Sequence, residues 1–208
     1  MDLQALPDEA TRLCLEAQQR LEESVRILDD AALVKPSRLP GWTRAHVVTH
    51  LARNADAHSR RIAGALDGRD VAKYVGGAQQ RHDEIERGAA RDSSAVREDL
   101  IASQARLANL LRAAGERQWP NAHFLGGGHY GVGACPAHRL REVEMHHVDL
   151  GVDYSPSQWP WEYVAWEMAL LVTSVPERMH ELPARQSFLA WLAGRGDVDP
   201  TWRLDPWG

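Results

Sequence analysis

Apolar residues recur every three or four positions in four separate stretches of this 208-residue chain. That spacing commits each stretch to a helix with one buried stripe. The first runs from Pro7 to Asp30, with Leu13, Cys14, Ala17, Leu21, Val25 and Leu28 in phase, and is stopped by Pro36 and the Leu39-Pro40-Gly41 turn. The second starts near Trp42-Thr43, with Thr43 as its N-cap, and carries Val47, Val48, Leu51, Ala55 and Ile62 toward Gly68. The third follows Asp92-Ser93-Ser94, holds Val96, Leu100, Leu107, Leu110 and Leu111 in phase, and ends at Gly115. The fourth covers Cys135 to Leu150. Gln79 to Gly88 reads as a separate short helix, and the glycine-rich run Trp119 to Gly133 as a loop or short hairpin. Four long helices with short links predict an antiparallel four-helix bundle, a fold that builds metal sites from inward side chains on facing helices.

After Tyr154-Ser155-Pro156 the pattern changes, and tryptophan becomes frequent at Trp159, Trp161, Trp166, Trp191, Trp202 and Trp207. Helices are expected over Trp161–Val175 and Arg185–Leu192, with Gly194-Arg195-Gly196 breaking the chain. The reading is mainly α: a helical bundle over 1–153 and a small C-terminal subdomain, α or α/β, over 154–208.

Charge and cysteine usage remove several function classes. The formal net charge is -5 and no basic run occurs, so nucleic acid has no electrostatic footprint to bind. No apolar run approaches the ~20 residues of a membrane span, and the N-terminus lacks a signal peptide's basic start and apolar middle. A cytoplasmic protein is expected. Cys14 and Cys135 form no C-x-x-C pair, which excludes a disulfide scaffold and a cysteine zinc cluster. Cys14 reads as a small buried apolar residue. Cys135 precedes the fourth helix, where the helix dipole would favour a thiolate, although no base motif stands beside it.

Chemistry concentrates in Arg139-Leu-Arg-Glu-Val-Glu-Met-His-His-Val-Asp-Leu-Gly151. Glu142 and His146 stand four apart and share a helix face, so a carboxylate oxygen and an imidazole nitrogen can converge on one cation. A third ligand from elsewhere would leave an open position, the arrangement of catalytic rather than structural zinc. The bland alternative is a solvated helix face of acid–histidine pairs, with His147 reaching Glu144 three positions back. The third ligand is sought on the second helix, which offers His46, His50 and His58. There the helical wheel leaves a tie: His58 lies nearest the centre of the apolar stripe, His50 beside its edge, and His46 almost opposite.

Leu39-Pro-Gly-Trp-Thr-Arg-Ala-His46, followed by His50-Leu-Ala-Arg-Asn-Ala-Asp56, resembles the N-terminal signature of the mycothiol-dependent maleylpyruvate isomerases, metal-binding members of the DinB-like four-helix bundles. Arg141 to Gly151 resembles that family's second metal motif, and Ala190-Trp-Leu-Ala-Gly-Arg195 a motif of its C-terminal domain. The resemblance places the zinc ligands on His50, Glu142 and His146 and so breaks the tie on the second helix. It also makes Arg195 the arginine that helps hold the acidic substrate. One departure is length, because the region between Val172 and Phe188 is short against the family's C-terminal domain.

What the resemblance implies is a zinc (or other divalent metal) enzyme that uses mycothiol to convert maleylpyruvate, or a similar unsaturated dicarboxylic keto acid, to fumarylpyruvate in aromatic degradation. Its partners are an acidic small molecule and a low-molecular-weight thiol. Two further readings stand beside it: a mycothiol S-transferase or related thiol-conjugating enzyme, and a non-enzymatic DinB-like interaction module. Arg81, Arg53 and Arg44 are weaker candidates for substrate contact. Asn54 and Asp149 are candidates for orienting the ligating imidazoles, a recurrent need at such sites.

Overall fold

In the computed structural model, which describes residues 1–120 and 130–205, Pro7 opens helix α1 (Pro7–Arg26). Asp8 and Glu9 lie in its first turn and Arg26 in its last, all three complementing the helix dipole. The helix ends earlier than the apolar spacing predicts. Asp29 takes an extended backbone, and its side chain accepts the amide of Ala32 at 2.6 Å, starting a short helix α2 (Asp30–Leu33). A local cap at Asp29 therefore overrides a periodicity that ran on to Leu28.

Thr43 caps α3 (Arg44–Leu66) as expected, and its capping box is unusual in using His46 where a glutamate commonly stands. α4 (Gly77–Ala89) and α5 (Ser93–Glu116) follow, then a single 3-10 turn at Val132–Ala134 that leads into α6 (Cys135–Asp149). Most of the expected Trp119–Gly133 loop or hairpin lies outside the described residues.

Around the bundle, α1 packs on α5, α5 on α3, α3 on α6, and α6 on α1, while α4 lies against α3. The buried stripes are those read from the sequence: Leu13, Ala17, Leu21 and Val25 of α1, Val47, Val48, Leu51 and Ile62 of α3, and Leu100, Leu107 and Leu111 of α5. Charged side chains are buried as well, Arg61, Arg139 and Glu144 among them. Arg139 of α6 is 0% exposed, and donates to the carbonyl of Leu51 and to Asn54 Oδ1, each at 2.9 Å, tying α6 to α3.

The chain divides into two compact units, Met1–Tyr163 and Val164–Gly208. α7 (Trp161–Arg178) starts in the first and continues into the second, where α8 (Leu182–Leu192) follows. Within the second unit the rings of Phe188, Trp191 and Trp202 meet at centroid distances of 5.3 to 5.8 Å, which gives part of the tryptophan-rich tail a packing role. Arg178 donates to the carbonyl of Asp205, and Arg185 to those of Pro176 and Met179. No strand occurs among the described residues, so of the two forms expected for the C-terminal part the helical one is found. No helix among them is long and apolar enough to cross a membrane.

Candidate metal centre

Thr43 fixes the start of α3, and so fixes where its second turn places His50 against α6. The ring of His50 is 1% exposed, and its Nε2 donates to Glu142 Oε2 at 2.9 Å. Glu142 Oε2 lies 3.6 Å from Nε2 of His146, one turn along α6. The two imidazoles meet edge to face with centroids 4.6 Å apart. One ligand atom from each of the three residues falls within 4.8 Å of the others. Ligands about 2.0–2.2 Å from a tetrahedral zinc stand roughly 3.5 Å from one another, so this spacing fits a single shared cation. Two imidazoles and one carboxylate form a borderline-soft donor set suited to zinc and its neighbours.

The ionisation states fit as well. Burial pushes His50 down to about 4, against the pull of the Glu142 hydrogen bond and charge, so its ring is neutral at pH 7. Burial resists ionisation of Glu142. The hydrogen bond from His50, with the electrostatic pull of His50, His146 and Lys73, outweighs it and holds the carboxyl well below the usual carboxylate range. Neutral imidazole and ionised carboxylate are the forms that ligate.

Second contacts orient the rings. His146 Nδ1 donates to Asp149 Oδ2 at 2.9 Å, which leaves the Nε2 lone pair facing Glu142. Trp42 lies over His50 with centroids 5.7 Å apart. Arg81 of α4 approaches His50 from behind, its guanidinium donating to Nδ1 at 3.2 Å.

The remaining sequence candidates sort cleanly. His46 serves the helix cap, bonded to the Thr43 hydroxyl at 2.7 Å. His58, which periodicity ranked at least level with His50, is 0% exposed and has no hydrogen-bond partner on either ring nitrogen. His147 does not pair with Glu144, and its face of α6 is not solvated. It is 1% exposed, stacks on Tyr154 at 3.7 Å, and bonds Ser24 Oγ at 2.8 Å. Glu144 holds Arg20 and Tyr154 instead. Asn54 orients no imidazole, because its carbonyl accepts from Arg139. Arg53 is taken by Asp99 and Asp56, and Arg44 clamps the end of α6 through the carbonyls of Leu150 and Gly151. The Cys135 thiol is fully buried and pushed up to about 12 by that burial, which leaves it protonated and outweighs the helix dipole that would favour a thiolate. Arg195 lies in the second unit, exposed just beyond α8, where its guanidinium donates to the carbonyl of Ala193.

Two contacts escaped the sequence reading. Arg81 was named only as a weak substrate residue, since nothing in a short amphipathic helix signals contact with a histidine thirty-one positions earlier. Lys73 lies between α3 and α4, outside any periodic segment, yet its charge acts on Glu142.

Residues 14–151 match the family described as "Mycothiol maleylpyruvate isomerase N-terminal domain". Among solved structures, the chain is similar to a mycothiol-dependent maleylpyruvate isomerase at 28% identity and a TM-score of 0.74, covering 79% of this chain and 69% of that one. It is also similar to a histidine-to-alanine variant of such an isomerase at 26% identity and a TM-score of 0.77, covering 84% and 73%. No curated protein matches.

Proposed function

The chain belongs to the family of the mycothiol maleylpyruvate isomerase N-terminal domain, and from that premise we propose that it is a thiol-dependent cis–trans isomerase of an unsaturated dicarboxylic keto acid such as maleylpyruvate. The observation that carries the reading is the convergence of His50, Glu142 and His146 within 4.8 Å, in a fold similar to that isomerase. His50, Glu142 and His146 would hold a divalent cation, zinc by donor preference. Its surplus positive charge would keep a low-molecular-weight thiol, mycothiol on this reading, ionised at neutral pH.

The reaction asks three things of the protein: a thiolate beside the substrate, a grip on its carboxylates, and stabilisation of the enolate formed on addition. Thiolate addition makes one C–S bond and moves the alkene π electrons into the enolate. Rotation about the resulting single bond follows, and elimination restores the double bond and the thiolate, so no thiol is consumed. Trp42 and the burial of His50 keep bulk water from the His50 face of the centre. The Asp149 carboxylate holds the His146 ring in one tautomer. We assign Arg195 to a substrate carboxylate, on the resemblance of Ala190–Arg195 to the family's C-terminal motif, since a planar guanidinium matches that anion in bidentate fashion.

The test is incubation of the zinc-loaded chain with mycothiol and maleylpyruvate. Fumarylpyruvate formed with no loss of thiol supports the isomerase. A stable thiol adduct replaces it with the S-transferase. Zinc well below one per chain after supplementation removes both.

A further inference from the structure

The last carbonyls of a helix have no partners inside it, and at the end of α6 one short piece of chain takes three in a row. The Arg38 amide donates to the carbonyl of Asp149 at 2.8 Å. The Arg44 guanidinium takes the next two, its Nε donating to Leu150 O at 2.7 Å and its Nη2 to Gly151 O at 2.8 Å. A cation suits this end of a helix, where the backbone dipole is negative. Arg44 is also the first residue of α3, so a single side chain joins the start of one ligand-bearing helix to the end of the other.

The piece of chain that makes these contacts is closed on itself. Pro36 and Thr43 form an antiparallel bridge. The Arg44 amide donates to Lys35 O at 3.0 Å, and the Ser37 amide to Trp42 O at 2.8 Å. The Ser37 hydroxyl donates to the same carbonyl at 2.8 Å. Such a loop has little freedom to let the guanidinium follow α6 if the helices slide.

Sliding is what the centre cannot tolerate. Glu142 and His146 share α6 and keep their spacing whatever α3 does. His50 comes from α3, and its 2.9 Å approach to Glu142 depends on the register of the two helices. His50 lies six residues after Arg44, about 9 Å along α3, and His146 four before Leu150, about 6 Å back along α6. Ligands must be held to within about 0.5 Å of their working geometry, and a pin one to two turns away on each helix can do that.

We propose that Arg44 is a positioning residue of the metal centre: by fastening the first residue of α3 to the last carbonyls of α6, it sets the register in which His50 meets Glu142 and His146. The inference rests on the reading of those three residues as metal ligands. In this role Arg44 touches neither metal nor substrate.

The probe is cobalt(II), whose visible absorption reports the coordination of the ion, titrated into the metal-free full chain. The wild type takes it up with the intense bands of a four-coordinate site. Arg44→Met loses about tenfold or more in cobalt affinity, and its bands weaken, while helical circular dichroism is retained. Leu111→Ala, which opens a cavity in the buried stripe of α5, melts at least as far below the wild type yet keeps the wild-type bands and affinity. Wild-type affinity in Arg44→Met overturns the inference and leaves the metal reading standing. So does an equal loss of affinity in Leu111→Ala, which would make the effect one of general stability. Should Arg44→Met not fold, Arg44→Lys decides, because an ammonium cannot reproduce the planar fork on two carbonyls. Weaker cobalt binding by folded Arg44→Lys supports the register role, and wild-type binding refutes it. A wild type that takes up no cobalt removes the metal reading itself, and the inference falls with it.

Discussion

Asp149 stands three residues after His146 and 2.9 Å from its Nδ1, so its carboxylate holds that ring while Nε2 is directed at Glu142. The contact fixes tautomer, rotation and basicity together, which is how outer carboxylates act on ligating imidazoles. Asp149→Ala is therefore expected to weaken zinc affinity by about 10- to 100-fold with the helical content unchanged. Competition against a chromophoric chelator measures the first, and circular dichroism the second. Zinc affinity equal to the wild type would reduce Asp149 to a surface carboxylate.

Substitution of the three converging residues should separate them from their neighbour on the same helix. His50→Ala and Glu142→Ala are each expected to lose stoichiometric metal. His147→Gln keeps it, since His147 faces Ser24 and Tyr154 rather than Glu142. Metal content of dialysed protein decides the matter, and loss of zinc in His147→Gln with retention in His146→Gln would place the register of α6 wrongly.

Arg195→Lys is expected to leave zinc per chain unchanged and to lower kcat/KM for the keto acid, with the loss mainly in KM. A point charge replaces a planar fork and forfeits the bidentate match to a carboxylate. Steady-state kinetics with a coupled readout of the trans product checks it. An unaltered kcat/KM returns Arg195 to the role it visibly has, a donor to its own turn at Ala193.

The bundle was legible because its helices carry apolar stripes at a period that no strand can use, and its caps and breakers are local. Thr43 and Pro7 do at short range what the periodicity says at long range. Legibility failed where a local polar contact competed with the period, as at Asp29, which ends α1 before Leu28. The Glu142/His146 pair was legible from spacing alone, being contained in one helix turn. Its partner on α3 was not. Periodicity reports which residues face the core, and His58 faces it more fully than His50 does. What distinguishes His50 is register against α6, a property of two helices together. Lys73 and Arg81 were illegible for the same reason, because their neighbours are set by the packing of α4 and the segment before it.

Several histidines are buried in the neutral form, and acid should therefore unfold the protein. Burial pushes His147 down to about 4, with the Arg20 charge in the same direction. His138 is pushed down to about 3. A folded-state value below the unfolded ~6.5 means that the unfolded chain binds more protons between the two values. Stability is thus fully present above about pH 6.5 and lost as the pH falls toward 4. His147 alone accounts for a loss on the order of 2–3 kcal/mol over that window. Urea unfolding of the metal-free chain at pH 7, 5.5 and 4.5 should show the decline, with a shallower slope in His147→Gln. Equal slopes in the two proteins would mean that His147 titrates normally when folded.

The docking of α4 depends on an atom that Gly88 lacks. A Cβ there would meet Thr49 Cγ2 at 2.4 Å, inside any real contact distance, and the obstruction is a branched side chain next to His50 on a buried helix face. Gly88→Ala gains helix propensity of about 1 kcal/mol in isolation. Overpacking of this kind costs about 1–3 kcal/mol, so the net effect is expected to be destabilising. The displacement matters more than the stability, because Arg81 rides on the same helix, two turns earlier, and touches His50 Nδ1. Moving α4 outward loosens that contact, in which Arg81 donates to Nδ1 and so leaves the ring proton on Nε2, the atom that would have to ligate. Gly88→Ala should consequently melt at lower temperature than the wild type while binding zinc at least as tightly. Thr49→Ser, which removes the offending methyl, should restore the melting temperature in the double variant. Zinc affinity that falls in parallel with stability in Gly88→Ala, and recovers with it, would show that α4 supports the centre rather than opposing its loading.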